Sequence, residues 1–189
     1  MGIVRKQSII GSIWVYLGAG LGFVTSALLF PHYLDAEQIG LLNLLVTYGM
    51  LFAQFASAGF QNTITRMFPY FRDETKKHNG FLFLTLAVVG IATILMIGVF
   101  FATEPLITQS NDKGGSLLQE YGLLIVPMFV FIVFFNILDT YTKALYNATR
   151  GILQKEVVLR ILTLILIVAF IFNAVNYHQF VYLYVACYG

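Results

Sequence analysis

Several kinds of residue are scarce in this chain of 189 amino acids. A single cysteine, Cys187, excludes an internal disulfide framework and any cysteine-based metal site. The three histidines, His32, His78 and His178, fall in three separate loops, so no cluster of His, Asp and Glu has metal-ligand spacing. The sequence also lacks a glycine-rich phosphate loop and a pair of acids suited to acid–base catalysis. These absences favour transport or scaffolding over an enzyme, and no cofactor is expected.

Charge is the scarcest property of all. Charged residues make up 11% of the chain, against roughly 25% in soluble domains, and the net charge is only +2. The basic residues stand beside apolar runs rather than on a polar face, which argues against nucleic acid as a partner and favours contact with anionic membrane lipids.

What is abundant is apolar sequence in long blocks. The chain is 59% hydrophobic, with a mean hydropathy of +0.81. Blocks of roughly 20 residues are the length that crosses a ~30 Å hydrocarbon core as a helix. The sequence therefore predicts an all-α, polytopic membrane helix bundle with spans at about 9–30, 40–68, 81–102, 121–146 and 157–175, and part of a sixth at 179–189. Because that sixth block has no basic stop signal after it, we expect the chain to be the N-terminal part of a longer protein.

Basic residues alternate between the gaps that separate these blocks. Every Lys and Arg except Lys113 falls at the N-terminus, in the second gap or in the fourth gap. Short loops rich in Lys and Arg stay in the cytoplasm. The pattern predicts a multi-pass protein of a cytoplasmic membrane with its N-terminus inside, and with Arg160 among the cytoplasmic bases.

The first block carries small residues at helical spacing. Gly11, Gly18, Gly22 and Ser26 share one face of the predicted helix. Such a face allows a second helix to approach closely, and it is also compatible with a hinge.

The second block carries the longest polar face. With Met50 filling one gap, its members recur every three or four residues: Asn43, Thr47, Gln54, Ser57, Gln61 and Thr65. Asn62 and Arg66 extend a neighbouring strip. An unpaired amide in hydrocarbon costs several kcal/mol, so this face must meet protein or water. Either a hydrated cavity or hydrogen bonds to another helix would satisfy these polar groups. The number of amides favours the hydrated cavity.

The fourth block becomes polar in its second half. Asn136, Asp139, Thr140 and Lys143 recur at i, i+3, i+4 and i+7, and Asp139 can pair with Lys143 one turn later. The pair is either self-neutralised at the membrane interface or part of a polar pathway, in which Asp139 would bind a proton or a coupling cation.

Four stretches together resemble a known family. They are Gly2–Ser8, the turn from Leu29 to Leu41, the segment Ala58–Phe71, and the connector from Lys143 to Arg160. In order and spacing they are similar to the polysaccharide-transporter branch of the multidrug/oligosaccharidyl-lipid/polysaccharide flippase superfamily. The resemblance implies two six-helix lobes around a central cavity, of which this chain would supply the N-terminal lobe and lack the second.

The same resemblance implies a function. Such proteins move undecaprenyl-pyrophosphate-linked sugars across the bacterial inner membrane by alternating access, for O-antigen and other surface polysaccharides, beside further polysaccharide-assembly proteins. Cations for the pyrophosphate would then be Arg66 first and Lys143 second, although Arg66 also suits an anchor at the inner leaflet. The amides expected to contact sugar or water are Gln54, Gln61, Asn62 and Asn136.

Two other functions stay open. A multidrug exporter of the same superfamily would couple to Na⁺ or H⁺ through Asp139. A membrane enzyme that polymerises polysaccharide is the least favoured, because the external loop 103–120 carries Lys113 as its sole basic residue.

Overall fold

The chain folds as an all-α helix bundle. The computed structural model describes residues 2–57, 59–71, 80–108, 115–145 and 148–189, and these residues contain helices and turns with no β-strand. This agrees with the predicted fold class. Within these described ranges, four helices are long and apolar enough to cross a membrane: Gln7–Tyr33, Ala36–Ala56, Phe81–Pro105 and Leu117–Ala144.

The helices are labelled here in chain order, with short π-helical segments included in the helix that contains them. Helix α1 (residues 2–33) consists of Gly2–Gly22, the π-helical Phe23–Leu29 and Phe30–Tyr33. The next four helices are α2 (Ala36–Ala56), α3 (Phe60–Phe71), α4 (Phe81–Thr108) and α5 (Gly115–Tyr121). A 3₁₀ turn at Gly122–Leu124 leads into α6 (Ile125–Ala144). Helix α7 (residues 148–171) consists of Ala148–Leu153, the π-helical Gln154–Val158 and Leu159–Ile171. Helix α8 covers Tyr177–Ala186.

Helix α6 lies at the centre of the bundle. It contacts α2, α3, α4, α7 and α8. The buried residues of α6 include Met128, Phe129, Val133 and Ile137, each without exposed surface. Gly49 lets α2 approach α6 closely, since a Cβ there would lie 2.7 Å from Cγ of Met128. The polar second half of α6 is therefore held in a fixed position against its neighbours.

The small-residue face of α1 packs against α7, as the sequence predicted for close helix packing. A Cβ added at Gly11 would lie 3.3 Å from Ile152, and one added at Gly18 would collide with the backbone of Glu156. At Gly22 it would collide with the guanidinium of Arg160. Because the contacts advance in the same direction along both helices, α1 and α7 are parallel.

Arg160 lies beside a candidate span. The sequence predicts it among the cytoplasmic bases, near the start of a span at 157–175, and its side of the membrane stays a prediction. In the structure its guanidinium lies against Gly22, close to the middle of the 27-residue candidate span Gln7–Tyr33. The helix around it starts at Ala148 and ends at Ile171, which shifts the predicted fifth span toward its N-terminus. That span is not among the four apolar candidates because Lys155, Glu156 and Arg160 are inside it.

The polar face predicted on a single helix 40–68 is divided in two. Helix α2 ends at Ala56, and α3 begins at Phe60. Between them Gly59 has a φ of +72°, a left-handed conformation that glycine adopts without steric cost and that an α-helix cannot contain. A continuous stripe from Asn43 to Thr65 was therefore wrong. The rest of the predicted bounds differ at their ends, where α1 starts earlier, α4 runs to Thr108 and α8 covers Tyr177–Ala186.

Candidate functional site

A cavity of about 440 Å³ lies where α2, α6 and α7 meet. Its polar lining combines Gln54 of α2, Asn136 of α6, and Gln154 and Lys155 of α7. The size falls within the ~300–1,000 Å³ that is usual for small-molecule sites. Lys155 is the charged side chain in this lining, so the cavity is suited to a ligand with a negative group.

The remaining wall of this cavity is apolar. Ile132 and Phe135 of α6 face Val158, Leu159 and Leu162 of α7. The chain closes the site with the residues that follow α8, since Cys187, Tyr188 and Gly189 also contribute to the lining. Amides and one cation beside apolar side chains form an amphiphilic site, able to hold a polar head and an apolar chain at once.

A second cavity, of about 280 Å³, lies on the other side of Gln154. Asp139 and Thr142 of α6 line it together with Arg150 and Gly151 of α7. Gln154, Phe135 and Tyr188 line both cavities. A movement of the Gln154 segment would thus change both spaces together.

The predicted pairing of Asp139 with Lys143 is confirmed. Lys143 Nζ donates to Asp139 Oδ2 at 2.5 Å, one turn along α6. The Asp139 side chain is 14% exposed and that of Lys143 is 47% exposed. Pairs this close to solvent contribute little to stability, about 1 kcal/mol or less. Their effect here is on charge, because Lys143 neutralises the carboxylate next to the second cavity.

The other oxygen of Asp139 is in a different environment. Oδ1 is buried without a hydrogen-bond partner among the described residues. Gly151 of α7 packs directly on it, so that a Cβ at Gly151 would collide with the carboxylate. Because Gly151 has no side chain, α7 can lie against the turn of α6 that carries Asp139 and Lys143.

Gly151→Ala is therefore expected to destabilise the protein, by about 1–3 kcal/mol, through overpacking against Asp139. The melting temperature in detergent measures the effect. Gly98→Ala is the matched control, because nothing lies within 4 Å of a Cβ at that residue. Asp139→Ala should restore most of the loss in the double variant. A double variant as unstable as Gly151→Ala alone would show that Asp139 is not the group that obstructs the methyl.

The structure brings together some of the residues predicted for the site and separates others. Gln54 and Asn136 meet in the first cavity, and Asp139 borders the second with Lys143 bound to it. Gln61, Asn62 and Arg66 lie in α3 and line neither cavity. The turn at Gly59 removes them from the face that carries Gln54. Their predicted role in a binding site stays a prediction.

The contribution of α7 to the site is absent from the sequence predictions. The sequence predicts Gln154 and Lys155 in a basic connector, whereas in the structure both line the first cavity. Helical spacing could have indicated this, because Lys155, Val158, Leu159 and Leu162 share one face of a helix that continues into the apolar block. The basic residues and the apolar block belong to one continuous helix.

Comparisons with known proteins add no assignment to this geometry. No protein-family model, curated protein or solved structure matches the chain. The two cavities and the charges of α7 are therefore the observations on which a function must be built.

Proposed function

We propose that this chain forms one lobe of a membrane flippase that moves a lipid-linked oligosaccharide across the cytoplasmic membrane by alternating access. The first cavity carries the proposal, because it places Lys155 and three amides beside an apolar wall. A lipid-linked sugar needs each of these: a cation for its phosphates, amides for its hydroxyl groups and an apolar surface for its isoprenoid chain.

The polar residues of this cavity lie on three helices. Gln54 comes from α2, Asn136 from α6, and Gln154 and Lys155 from α7. Sites that open and close between helices suit alternating access, in which packed elements rock around a bound ligand. Lys155 takes the role that the sequence suggested for Arg66 and Lys143, since Arg66 lies outside the cavity and Lys143 is paired with Asp139.

Export of drugs coupled to a cation is the second candidate, and Asp139 is the observation that favours it. Its buried Oδ1 has no partner among the described residues and could accept a proton or a cation. Lys143 nevertheless pairs with the same carboxylate, and Arg150 lines the same cavity. Lys155 likewise repels a cationic drug from the first cavity. The charges around both cavities therefore favour an anionic substrate.

Reconstitution of the protein in lipid vesicles separates the two functions. One arm follows undecaprenyl-pyrophosphate-linked oligosaccharide, by its accessibility to an external glycosidase. The other follows ethidium efflux under a Na⁺ or H⁺ gradient. The proposal expects the sugar to become accessible with no efflux of ethidium. Ethidium efflux without movement of the sugar would replace the flippase by the exporter.

A further inference from the structure

Arg160 is a charged side chain in an unusual place. Its guanidinium packs against Gly22, and the neighbouring Glu156 packs against Gly18, both near the middle of the first candidate span. Each partner helix has a π-helical segment there, Phe23–Leu29 in α1 and Gln154–Val158 in α7. Segments of this kind are rare in proteins and frequent at functional sites. Ionisable groups at this depth are costly and usually serve function.

The hydrogen bonds of Arg160 are far from complete. A guanidinium has five N–H donors. Nη2 donates to Glu156 Oε2 at 2.9 Å, and within the described part of the chain no second acceptor is recorded for Arg160. The side chain is 35% exposed, and that of Glu156 is 26% exposed. Among the described residues the Arg160 nitrogens are not counted with the buried atoms that lack a partner, so its remaining donors are accessible at the surface beside α1 and α7. We call this accessible surface around Gly22, Glu156 and Arg160 the groove.

Open donors on a guanidinium select for planar or tetrahedral oxyanions. Arginine binds phosphate and carboxylate through two parallel N–H···O bonds, which strengthen where water is scarce. Hydrocarbon offers no acceptor, so the groove requires an anion or water for these donors. Arg160 is also within electrostatic range of Tyr188, which lines both cavities, so the groove adjoins the candidate site.

We propose that Arg160 binds the phosphate group of an amphiphile in the groove between α1 and α7, and that Glu156 is the resident counter-ion with which this phosphate competes. The inference rests on the proposed function only for the identity of the natural ligand, a lipid-linked phosphate. The phosphate would reach Arg160 after Lys155, which lies one turn and a half earlier on α7 and faces the first cavity.

Phosphate affinity distinguishes a Glu156 that competes with the ligand from a Glu156 that only forms a structural ion pair. Glu156→Gln removes the competing carboxylate, so phosphate binding should become tighter by about three-fold or more. If the pair only held α7 together, the same variant would lower stability and leave binding unchanged. The double variant Glu156→Gln/Arg160→Gln keeps the pair neutral and similar in shape, but should weaken phosphate binding about ten-fold or more.

Trp14 reports on this groove. It is the single tryptophan of the chain, and it lies one helical turn before Gly18 on the face that α7 covers. The purified protein in an uncharged maltoside detergent is titrated with dodecyl phosphate while Trp14 fluorescence is followed. Dodecylphosphocholine, with the same chain and no net charge, is the control ligand. Asp139→Asn/Lys143→Gln is the matched control variant, because it neutralises the second i,i+4 ion pair found in the described part of the chain.

The expected result is a saturable response to dodecyl phosphate, tighter in Glu156→Gln, weaker in the double variant and unchanged in the control variant. An equal response to dodecylphosphocholine, or equal affinity in all variants, would overturn the inference. Inorganic pyrophosphate distinguishes the source of the anion. A response to it shows entry from water, and a response to dodecyl phosphate alone shows entry from lipid; either one with the Arg160 dependence supports the site.

This test and the transport test fail separately. If phosphate binding does not depend on Arg160 but the protein still moves the lipid-linked sugar, only the proposed phosphate site is wrong. If phosphate binding depends on Arg160 but the protein moves no lipid-linked sugar, only the flippase proposal is wrong.

Discussion

Gly18→Leu is expected to separate α1 from α7 and to remove about 3 kcal/mol or more of the free energy of unfolding. Even a Cβ at residue 18 would collide with the carbonyl oxygen of Glu156, and its distance to the Glu156 Cβ would be only 2.9 Å. A backbone atom cannot rotate away as a side chain can, so the helices must move apart. Overpacking of this kind costs ~1–3 kcal/mol for added methylene groups that the surroundings can partly accommodate.

The neighbouring glycine of α1 supplies the control. At Gly20 a Cβ would meet nothing within 4 Å, so Gly20→Leu should be neutral or slightly stabilising, since leucine favours a helix more than glycine does. Thermal unfolding in detergent compares the two variants. Equal melting temperatures would contradict the packing of α1 on α7.

Lys155→Glu is expected to reduce transport of a lipid-linked oligosaccharide by about 100-fold. The change turns the charge of the first cavity from positive to negative, so attraction to a phosphate becomes repulsion. Two unit charges 4 Å apart interact by about 4 kcal/mol at an effective dielectric constant near 20, more than the ~2.7 kcal/mol that 100-fold represents. The initial rate of oligosaccharide movement in the vesicle assay measures it.

Two further substitutions show whether the loss comes from charge in the cavity. Lys155→Gln should have an intermediate effect, since it removes the attraction without adding repulsion. Lys143→Gln should change the rate little, because Lys143 pairs with Asp139 and does not line the first cavity. Melting temperatures must remain close to that of the wild type. Unreduced transport by Lys155→Glu would exclude Lys155 from the substrate path.

Features that depend on neighbours within one helix could be predicted from the sequence. The pair Asp139–Lys143 follows from a spacing of four residues, and the close packing of α1 follows from Gly11, Gly18 and Gly22 on one face. The all-α class follows from apolar blocks of membrane-spanning length. The start of α2 also depends on near neighbours, because Asp35 forms a capping box with Gln38.

Features that depend on tertiary contacts could not be predicted in the same way. Gly59 looks like any other glycine of the apolar blocks until the backbone shows a positive φ, and this turn separates Gln54 from Gln61. The depth of Arg160 depends on which residue of α1 it contacts, information that no spacing in α7 contains. Because charges interrupt an apolar block, hydropathy places the start of the fifth helix after them, whereas α7 begins at Ala148 and includes Lys155, Glu156 and Arg160.

The depth of the charged half of α7 decides whether Arg160 can bind a phosphate inside the membrane, and nitroxide labels can measure that depth in bilayers. In a Cys187→Ser background, single labels are placed at Ile161, beside Arg160, at Gly20 in the middle of α1, and at Ile9 near its start. Power saturation with oxygen and a water-soluble nickel complex measures the depth of each label. The Ile161 label should lie within about 5 Å of the depth of the Gly20 label. It should lie about 15 Å deeper than the Ile9 label, because each helical residue between Ile9 and Gly20 adds about 1.5 Å. A label at Ile161 as accessible to nickel as the one at Ile9 would return Arg160 to a cytoplasmic connector and contradict the account.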